Sequence, residues 1–345
     1  MSYNVCIDDF TRNDWETAAA GFSDYSIYQT WPYQDHRAET DGQHLSRAIV
    51  IDSYGHVAAM CQIRIKHLFP LPVKIGYVQW GPLMQSHDDQ ITCTSEVLAA
   101  LKKAYVPDKV DILRLTPAVW SAQDDSNIPD MLSDAGFVHV RKHRPYQTLF
   151  VKVDDSEDEI RARLSKSYKR NLKKAEKAGV EVRVGWDEDF FNVLEHIHTD
   201  LIKTKGFDGC SVPEFARPQL DLSDHEKMKV IAVYHNGEPA SAALVTNLGN
   251  RAIVLLAATN DLGRSVFSSY AAWYHAACLA NQTGMKWCDL GGIDKKNNPK
   301  VFEFKSRMGG SSVSYPGAFD SSKKLSSKLL WQATQSAANL FKKRM

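Results

Sequence analysis

One order of elements occurs twice in this chain, and that duplication constrains the fold more than any other feature. RAIVIDSYGHVAAMCQIRI (residues 47–65) holds two apolar runs about a glycine. KVIAVYHNGEPASAALVTNL (229–248) has the same plan, so Ile49, Gly55 and Ala58 align with Ile231, Gly237 and Ala240. Asn236-Gly237 is a strong hairpin signal, because both turn positions must tolerate positive φ. A further strand follows each hairpin, KIGYVQW (74–80) and RAIVLLAAT (251–259). A helical segment comes next. In the first half Val97, Leu98, Leu101 and Tyr105 share one face, and in the second SSYAAWYHAACLANQTG closes at Gly284. Short apolar strands VDILRLTP and MKWCDLGG follow, then a short helix, a glycine (Gly136; Gly309 and Gly310) and a last strand.

Hairpin, strand, helix, strand, helix, glycine, strand is the order of the acetyltransferase-like (GNAT) fold. The expectation is an α/β protein with tandem GNAT-like domains and mixed sheets. The length, 345 residues, fits two domains of roughly 150. The boundaries are expected at 1–152 and 153–319.

Between the halves, Ser156-x-x-Glu159 is a capping box that opens a helix over 157–179, ended by Gly179. Ile160, Leu164, Tyr168, Leu172 and Ala175 form its apolar stripe. The rest is basic: Arg161, Arg163, Lys166, Lys169, Arg170, Lys173, Lys174 and Lys177 stand against Glu176 alone. This local excess matters because the whole chain is balanced, with 42 Lys+Arg, 41 Asp+Glu and a net charge of +1. A general attraction to nucleic acid or lipid is therefore excluded, and a patch must supply any such contact. The second basic segment, Ser322 to Met345 within an expected C-terminal helix 320–345, carries Lys323, Lys324, Lys328, Lys342, Lys343 and Arg344. It is expected as a terminal helix packing on the first domain, with weak contact to an anionic membrane surface as the alternative.

With 43% hydrophobic and 24% charged residues, the composition is that of a globular protein. No apolar run approaches the roughly 20 residues of a spanning helix, and the start of the chain lacks a signal-peptide pattern. The six cysteines show no C-x-x-C spacing, so core-filling thiols, a cytoplasmic setting and no structural metal are expected.

Three stretches carry a resemblance to a known family: SKSYKRNLKKAEKAGVEV (165–182), YHNGEPASAAL (234–244) and CDLGGIDKKNNPKVFEFKSRMGG (288–310). QTWPYQDHRAE (29–39) and VQWGPLM (78–84) add to it. The chain resembles the FemABX family, aminoacyl-tRNA-dependent peptidyltransferases that build peptidoglycan cross-bridges and have two GNAT-like domains. The space between Gly206 and Lys229 is too short for the helical arm of some members. Arg37 stands where the family often has Lys, and Lys205 where many members have Arg. Each keeps the charge and changes its geometry.

The reaction this resemblance implies is attack of an amine on an activated acyl ester. The amine must arrive neutral, and the oxyanion must be stabilised. Lys305 is the implied oxyanion stabiliser, otherwise a surface lysine; Phe304 is an implied stacking face, otherwise a core aromatic. Asp289, before Gly291-Gly292, either handles the proton and orients the amine or simply holds the glycine turn. Arg37 and Lys205 are the implied partners of a nucleotide- or lipid-linked muropeptide's diphosphate. Arg163, Lys166, Arg170 and Lys173 are the candidates for aminoacyl-tRNA, against a merely solvated charged face. No Cys/His or Ser/His/Asp constellation stands out among the 12 dispersed histidines. No cofactor is implied beyond the tRNA donor.

Two alternatives stay open. One is a GNAT-type N-acyltransferase using acyl-CoA in exopolysaccharide or small-molecule biosynthesis. Its pyrophosphate loop has a poor match here, Asn260-Asp261-Leu262-Gly263-Arg264-Ser265, which places an acid where an anion would bind. The other is a non-catalytic module that binds a precursor or RNA.

Overall fold

A computed structural model describes residues 2–86, 90–119, 127–205 and 211–322. The chain divides into two compact units. The first contains Met1–Phe22, Gln34–Pro145 and Tyr315–Met345, and the second Ser23–Tyr33 and Tyr146–Ser314.

Each unit is built on a seven-stranded mixed sheet. The strands, in chain order, are β1 (Asn4–Ile7), β2 (His44–Ile51), β3 (Val57–His67), β4 (Lys74–Gln79), β5 (Ile112–Thr116), β6 (Val138–His139) and β7 (Gln147–Lys152). They continue with β8 (Glu181–Gly185), β9 (Lys229–His235), β10 (Glu238–Leu248), β11 (Arg251–Thr259), β12 (Trp287–Asp289), β13 (Ser311–Ser314) and β14 (Phe319–Ser322). The sheet orders are β1-β2-β3-β4-β5-β14-β6 and β13-β7-β12-β11-β10-β9-β8. Read from β1 and from β8, the two are the same architecture. The expected hairpins β2–β3 and β9–β10 occupy equivalent places, and β4–β5 and β11–β12 are the matching parallel pairs. Tandem GNAT-like sheets are therefore the fold of this chain.

The chain passes its strands between the units. β7, from the end of the first sequence half, lies between β12 and β13, and β14, near the C-terminus, lies between β5 and β6. The expected division at 152/153 thus differs from the structural one: Ser23–Tyr33 and the β7 strand, from Tyr146 on, belong to the second unit, and residues 315–319 to the first. Residues 320–322, expected to begin a terminal helix, are strand; the segment from 323 lies outside the described residues.

Packing follows the apolar pattern. In the second unit both sheet faces are covered. Helices Glu157–Arg163, Lys166–Lys177 and Ser268–Gln282 bury Ile160, Leu164, Tyr168, Leu172 and Ala271 on one face. Helices Glu188–Lys205 and Val212–Gln219 bury Leu194, Ile197 and Phe215 on the other. Covered on both faces, β10 is buried without a break from Ala240 to Thr246, its polar Ser241 and Thr246 included. In the first unit, helices Ser95–Tyr105 and Ile128–Asp134 cover the face carrying Ile63, Val78, Leu113 and Phe319. The opposite face carries Arg64, Tyr77, Arg114 and Asp320.

The single helix expected over 157–179 is two helices. The apolar stripe and the Ser156–Glu159 capping box form as expected. Leu164, however, turns to ψ 139°, and Ser165 starts a new helix, its hydroxyl accepting from the Tyr168 N–H at 3.2 Å. The cause is a tertiary contact. The Ser165 N–H donates to the Arg307 carbonyl at 2.9 Å, and a Cβ on Gly309 would stand 2.6 Å from the Arg163 carbonyl oxygen. Unbroken α-helix would leave no room for that approach.

Candidate active site around Lys305

β11 and β12 pair through only three residue pairs, ending at Ile253–Asp289. β11 continues to Thr259 along β10, so the parallel pair opens beyond Asp289. The chain fills the mouth of that opening with Gly291 at φ +73°, where a Cβ would lie 2.6 Å from the Val254 carbonyl oxygen. Only glycine combines that backbone with that approach.

Asp289 holds the turn. It is fully buried, and its Oδ1 accepts from the Gly291 N–H at 2.8 Å and from the Thr148 hydroxyl. The same hydroxyl lies 3.0 Å from the Gly291 carbonyl oxygen. Burial raises the Asp289 carboxyl above the usual range, opposed by the bonds from Thr148 and Gly291 and by the charges of Arg251 and Lys305. Of the two roles open for Asp289, the geometry fits holding the glycine turn.

Lys305 lies in the last turn of the helix Pro299–Ser306 and is 7% exposed. Its Nζ donates to the carbonyls of Gly291 at 3.1 Å and Gly292 at 2.9 Å, and sits 5.2 Å from the centre of the Trp273 ring. An ammonium so enclosed is held by carbonyl dipoles and a π face. Desolvation brings its pKa down to about 8, with Asp289 pulling the other way. It stays mostly protonated at neutral pH and has one N–H beyond the two given to carbonyls.

Phe304 packs among Tyr168, Tyr270 and Trp273, with ring centres 5.1 to 5.8 Å away. Phe304 is half-buried, packed against the core from its edge. Through Tyr168 the Lys305 helix is joined to the basic helix Lys166–Lys177.

The basic residues separate into two kinds. Arg163 donates to Asp155 at 2.6 Å and to the Lys152 carbonyl at 2.8 Å, which commits it to structure. Arg161 is paired with Glu176, and Lys169 caps the Ala162 carbonyl. Lys166, Arg170 and Lys173 are exposed, at i, i+4 and i+7 on one face. Arg37 belongs to the first unit, where it pairs with Asp41 at 3.1 Å. Lys205 ends the helix Glu188–Lys205, and its side chain lies outside the described residues. The structure thus brings Asp289, Gly291, Gly292, Phe304 and Lys305 together.

Thr148 and Trp273 were not among the residues expected from sequence. Thr148 reaches the site only because β7 is paired with β12, a long-range register that local pattern does not carry. Trp273 reads as one more apolar residue of its helix.

The poor CoA-loop match is closed on itself. Asn260 caps the helix Asp261–Ser265 by accepting from the Gly263 N–H at 2.8 Å. Among the described residues no cluster of His, Cys, Asp or Glu could hold a metal ion, and no helix is long and apolar enough to cross a membrane.

Comparison with known proteins agrees with this fold. A model of the FemAB family matches residues 219–338. The crystal structure of FemX matches 96% of this chain and 99% of its own, at 15% identity and a TM-score of 0.80. A conserved protein of unknown function from Bacteroides thetaiotaomicron matches 93% of this chain and all of its own, at 11% identity and a TM-score of 0.56. A tandem GNAT protein from the clavulanic acid biosynthesis pathway matches 93% of this chain and 98% of its own, at 10% identity and a TM-score of 0.50. No curated protein matches the sequence. The FemAB family match covers the stretch that carries Asp289, Gly291, Gly292 and Lys305, and the fold is similar to that of FemX over nearly the whole chain.

Proposed function

We propose that the chain is an aminoacyltransferase that moves an amino acid from aminoacyl-tRNA to an amine of a nucleotide- or lipid-linked peptidoglycan precursor. The observation that carries this reading is the buried Lys305 ammonium, fixed by the Gly291 and Gly292 carbonyls at the open end of β11–β12. Its remaining N–H suits a developing oxyanion, and the low-dielectric surroundings strengthen that interaction. The amine enters neutral and its nitrogen bonds to the ester carbonyl carbon. The carbon–oxygen bond to the tRNA ribose then breaks. The proton shed by the amine balances the one taken up by the leaving hydroxyl.

Phe304 and Asp289 act in this reading as positioning residues for Lys305. Lys166, Arg170 and Lys173 form the stripe for tRNA phosphates, and Arg37 and Lys205 remain the candidates for the acceptor's diphosphate. An acyl-CoA donor is the less favoured reading, because the Gly263 N–H that would face a pyrophosphate is already taken by Asn260.

Donor choice tests the proposal. The full chain is incubated with a muropeptide acceptor and either a mixture of charged tRNAs or acyl-CoA. Transfer from charged tRNA, lost in Lys305→Ala, is the expected result. Consumption of acyl-CoA, or of neither donor, would overturn it.

A further inference from the structure

The β3–β4 hairpin of the first unit ends in Leu68-Phe69-Pro70-Leu71-Pro72, between Lys66-His67 and Lys74. Phe69 is 95% exposed. The tip is braced. The Leu68 N–H donates to the Val73 carbonyl at 2.9 Å and the Leu71 N–H to the Leu68 carbonyl at 2.7 Å. Leu68 and Leu71 turn inward onto Val73, Ile75 and Ile112, while Phe69, Pro70 and Pro72 are left to solvent.

A lone exposed phenylalanine means little. The charge behind this one gives it meaning. Arg64 and Lys66 on β3, opposite Tyr77 and Ile75 on β4, line a cavity of about 270 Å³ together with Arg114, Gln43 and His143. His143 belongs to the run Arg141-Lys142-His143-Arg144, whose other three members are exposed. Three acids stand here. Asp320 is held by Arg114 through two bonds of 2.7 and 2.8 Å, Asp41 lies between Arg37 and Arg64, and Asp111 accepts the Lys74 N–H and keeps its charge. With Lys66, Lys74, Arg141, Lys142 and Arg144 added to those three arginines, the cations next to the apolar tip outnumber these acids and the surface is cationic in balance.

We propose that this edge of the first unit docks on an anionic lipid bilayer. The Phe69 tip enters the headgroup layer, and Lys66, Lys74 and the 141–144 run face the lipid phosphates. The dimensions agree. Lys66 is three residues from Phe69, at most about 10 Å along the chain, and a headgroup layer is roughly 5–7 Å deep. With Phe69 at the hydrocarbon boundary, the lysines stand at phosphate level. Phe, like Trp and Leu, is a side chain that interfacial segments bury at the headgroup–acyl boundary, and juxtamembrane lysines favour anionic leaflets. The docking is independent of which donor the reaction uses.

The test is co-sedimentation of the full chain with vesicles of phosphatidylcholine alone and of phosphatidylcholine with 30% phosphatidylglycerol (a composition of order ~30% suits a mildly anionic surface). Binding is expected only to the anionic vesicles and should weaken with added salt. Phe69→Asp should weaken it at least about tenfold, the value of one buried aromatic side chain. Arg141→Glu and Lys142→Glu should each weaken it several-fold. Both sites are exposed, so unchanged thermal melting of the variants excludes misfolding as the cause. No binding to anionic vesicles would overturn the proposal. So would binding that survives all three substitutions, which would place the contact elsewhere, for example in the basic segment after Ser322. If Phe69→Asp changes the protein's mass in solution and not its vesicle binding, the tip is a contact between copies of the chain and the proposal fails.

Discussion

The Lys305 ammonium donates to the Gly292 carbonyl at 2.9 Å, which ties the helix Pro299–Ser306 to the turn that closes the β11–β12 opening. The turn is in its place because Asp289 accepts the Gly291 N–H at 2.8 Å. Charge and scaffold are thus one unit: a carboxylate shapes the turn, and the turn's carbonyls aim the lysine. A group aimed before substrate arrives needs no reorganisation in the transition state.

If Lys305 stabilises an oxyanion, its contribution arises mainly in the transition state. Lys305→Ala should lower kcat about 100-fold or more with little change in KM. Lys305→Arg should recover only part of this, because a planar guanidinium does not fit a site that leaves the lysine 7% exposed. Steady-state kinetics on folded variants check both. Near-normal turnover in Lys305→Ala would remove the residue from the mechanism.

The depressed pKa also predicts a stability profile. Between about 8, the folded value, and 10.5, the ordinary one, the unfolded chain binds more protons at this site than the folded chain. Stability from Lys305 should therefore rise with pH across that window, by up to about 3 kcal/mol in all. Denaturant unfolding of the wild type and of Lys305→Met from pH 7.5 to 10.5 isolates it. The difference between the two proteins should shift in the wild type's favour as pH rises, and a difference independent of pH would contradict the burial argument.

Much of this arrangement is legible in the sequence, and the illegible part has physical causes. The two hairpins and the stripe Ile160, Leu164, Tyr168, Leu172 and Ala175 are local patterns, and local patterns read well. Gly291, Gly292 and Lys305 could be placed together because one family-like motif spans them. The strands β7 and β14 carry nothing local that says which sheet they join, so the domain boundary and Thr148's part in the site were hidden. The helix break at Leu164 was hidden too, because the apolar period runs through it unbroken and the cause, Gly309 against Arg163, lies far along the chain. Counting charges over 161–178 overstated the basic face, since Asp155, Arg163's partner, precedes that window.

Gly291 offers a direct test of the scaffold. A methyl group there meets the Val254 carbonyl oxygen at 2.6 Å on a backbone at φ +73°. Gly291→Ala should cost about 1–3 kcal/mol from the left-handed backbone and the clash. It should also reduce kcat, because the carbonyls that hold Lys305 move with the turn. Gly292 has neither constraint: its φ is not in the left-handed region, and a Cβ would lie 3.3 Å from the Tyr146 ring. Gly292→Ala should be the milder of the two by thermal melting and by turnover, and equal effects would refute the assigned roles.

The basic helix makes the last prediction, and the structure sharpens it by separating residues that composition groups together. Lys166, Arg170 and Lys173 are exposed on one face, whereas Arg163 is bound to Asp155 and to the Lys152 carbonyl. If the exposed stripe contacts tRNA phosphates, changing those three residues to Glu should weaken tRNA binding and flatten its salt dependence. Each lost phosphate contact should remove roughly 0.7–0.9 from the slope of log K against log salt, depending on whether single- or double-stranded RNA is touched. Arg163→Ala should behave differently. It removes an ion pair and a backbone bond, so it should lower the melting temperature and leave the salt slope nearly unchanged. Binding titrations at several salt concentrations, paired with thermal melts, separate the two effects. A slope unchanged in the triple variant would return the stripe to a solvated surface, and a slope reduced by Arg163→Ala would show that this arginine leaves its carboxylate when RNA binds.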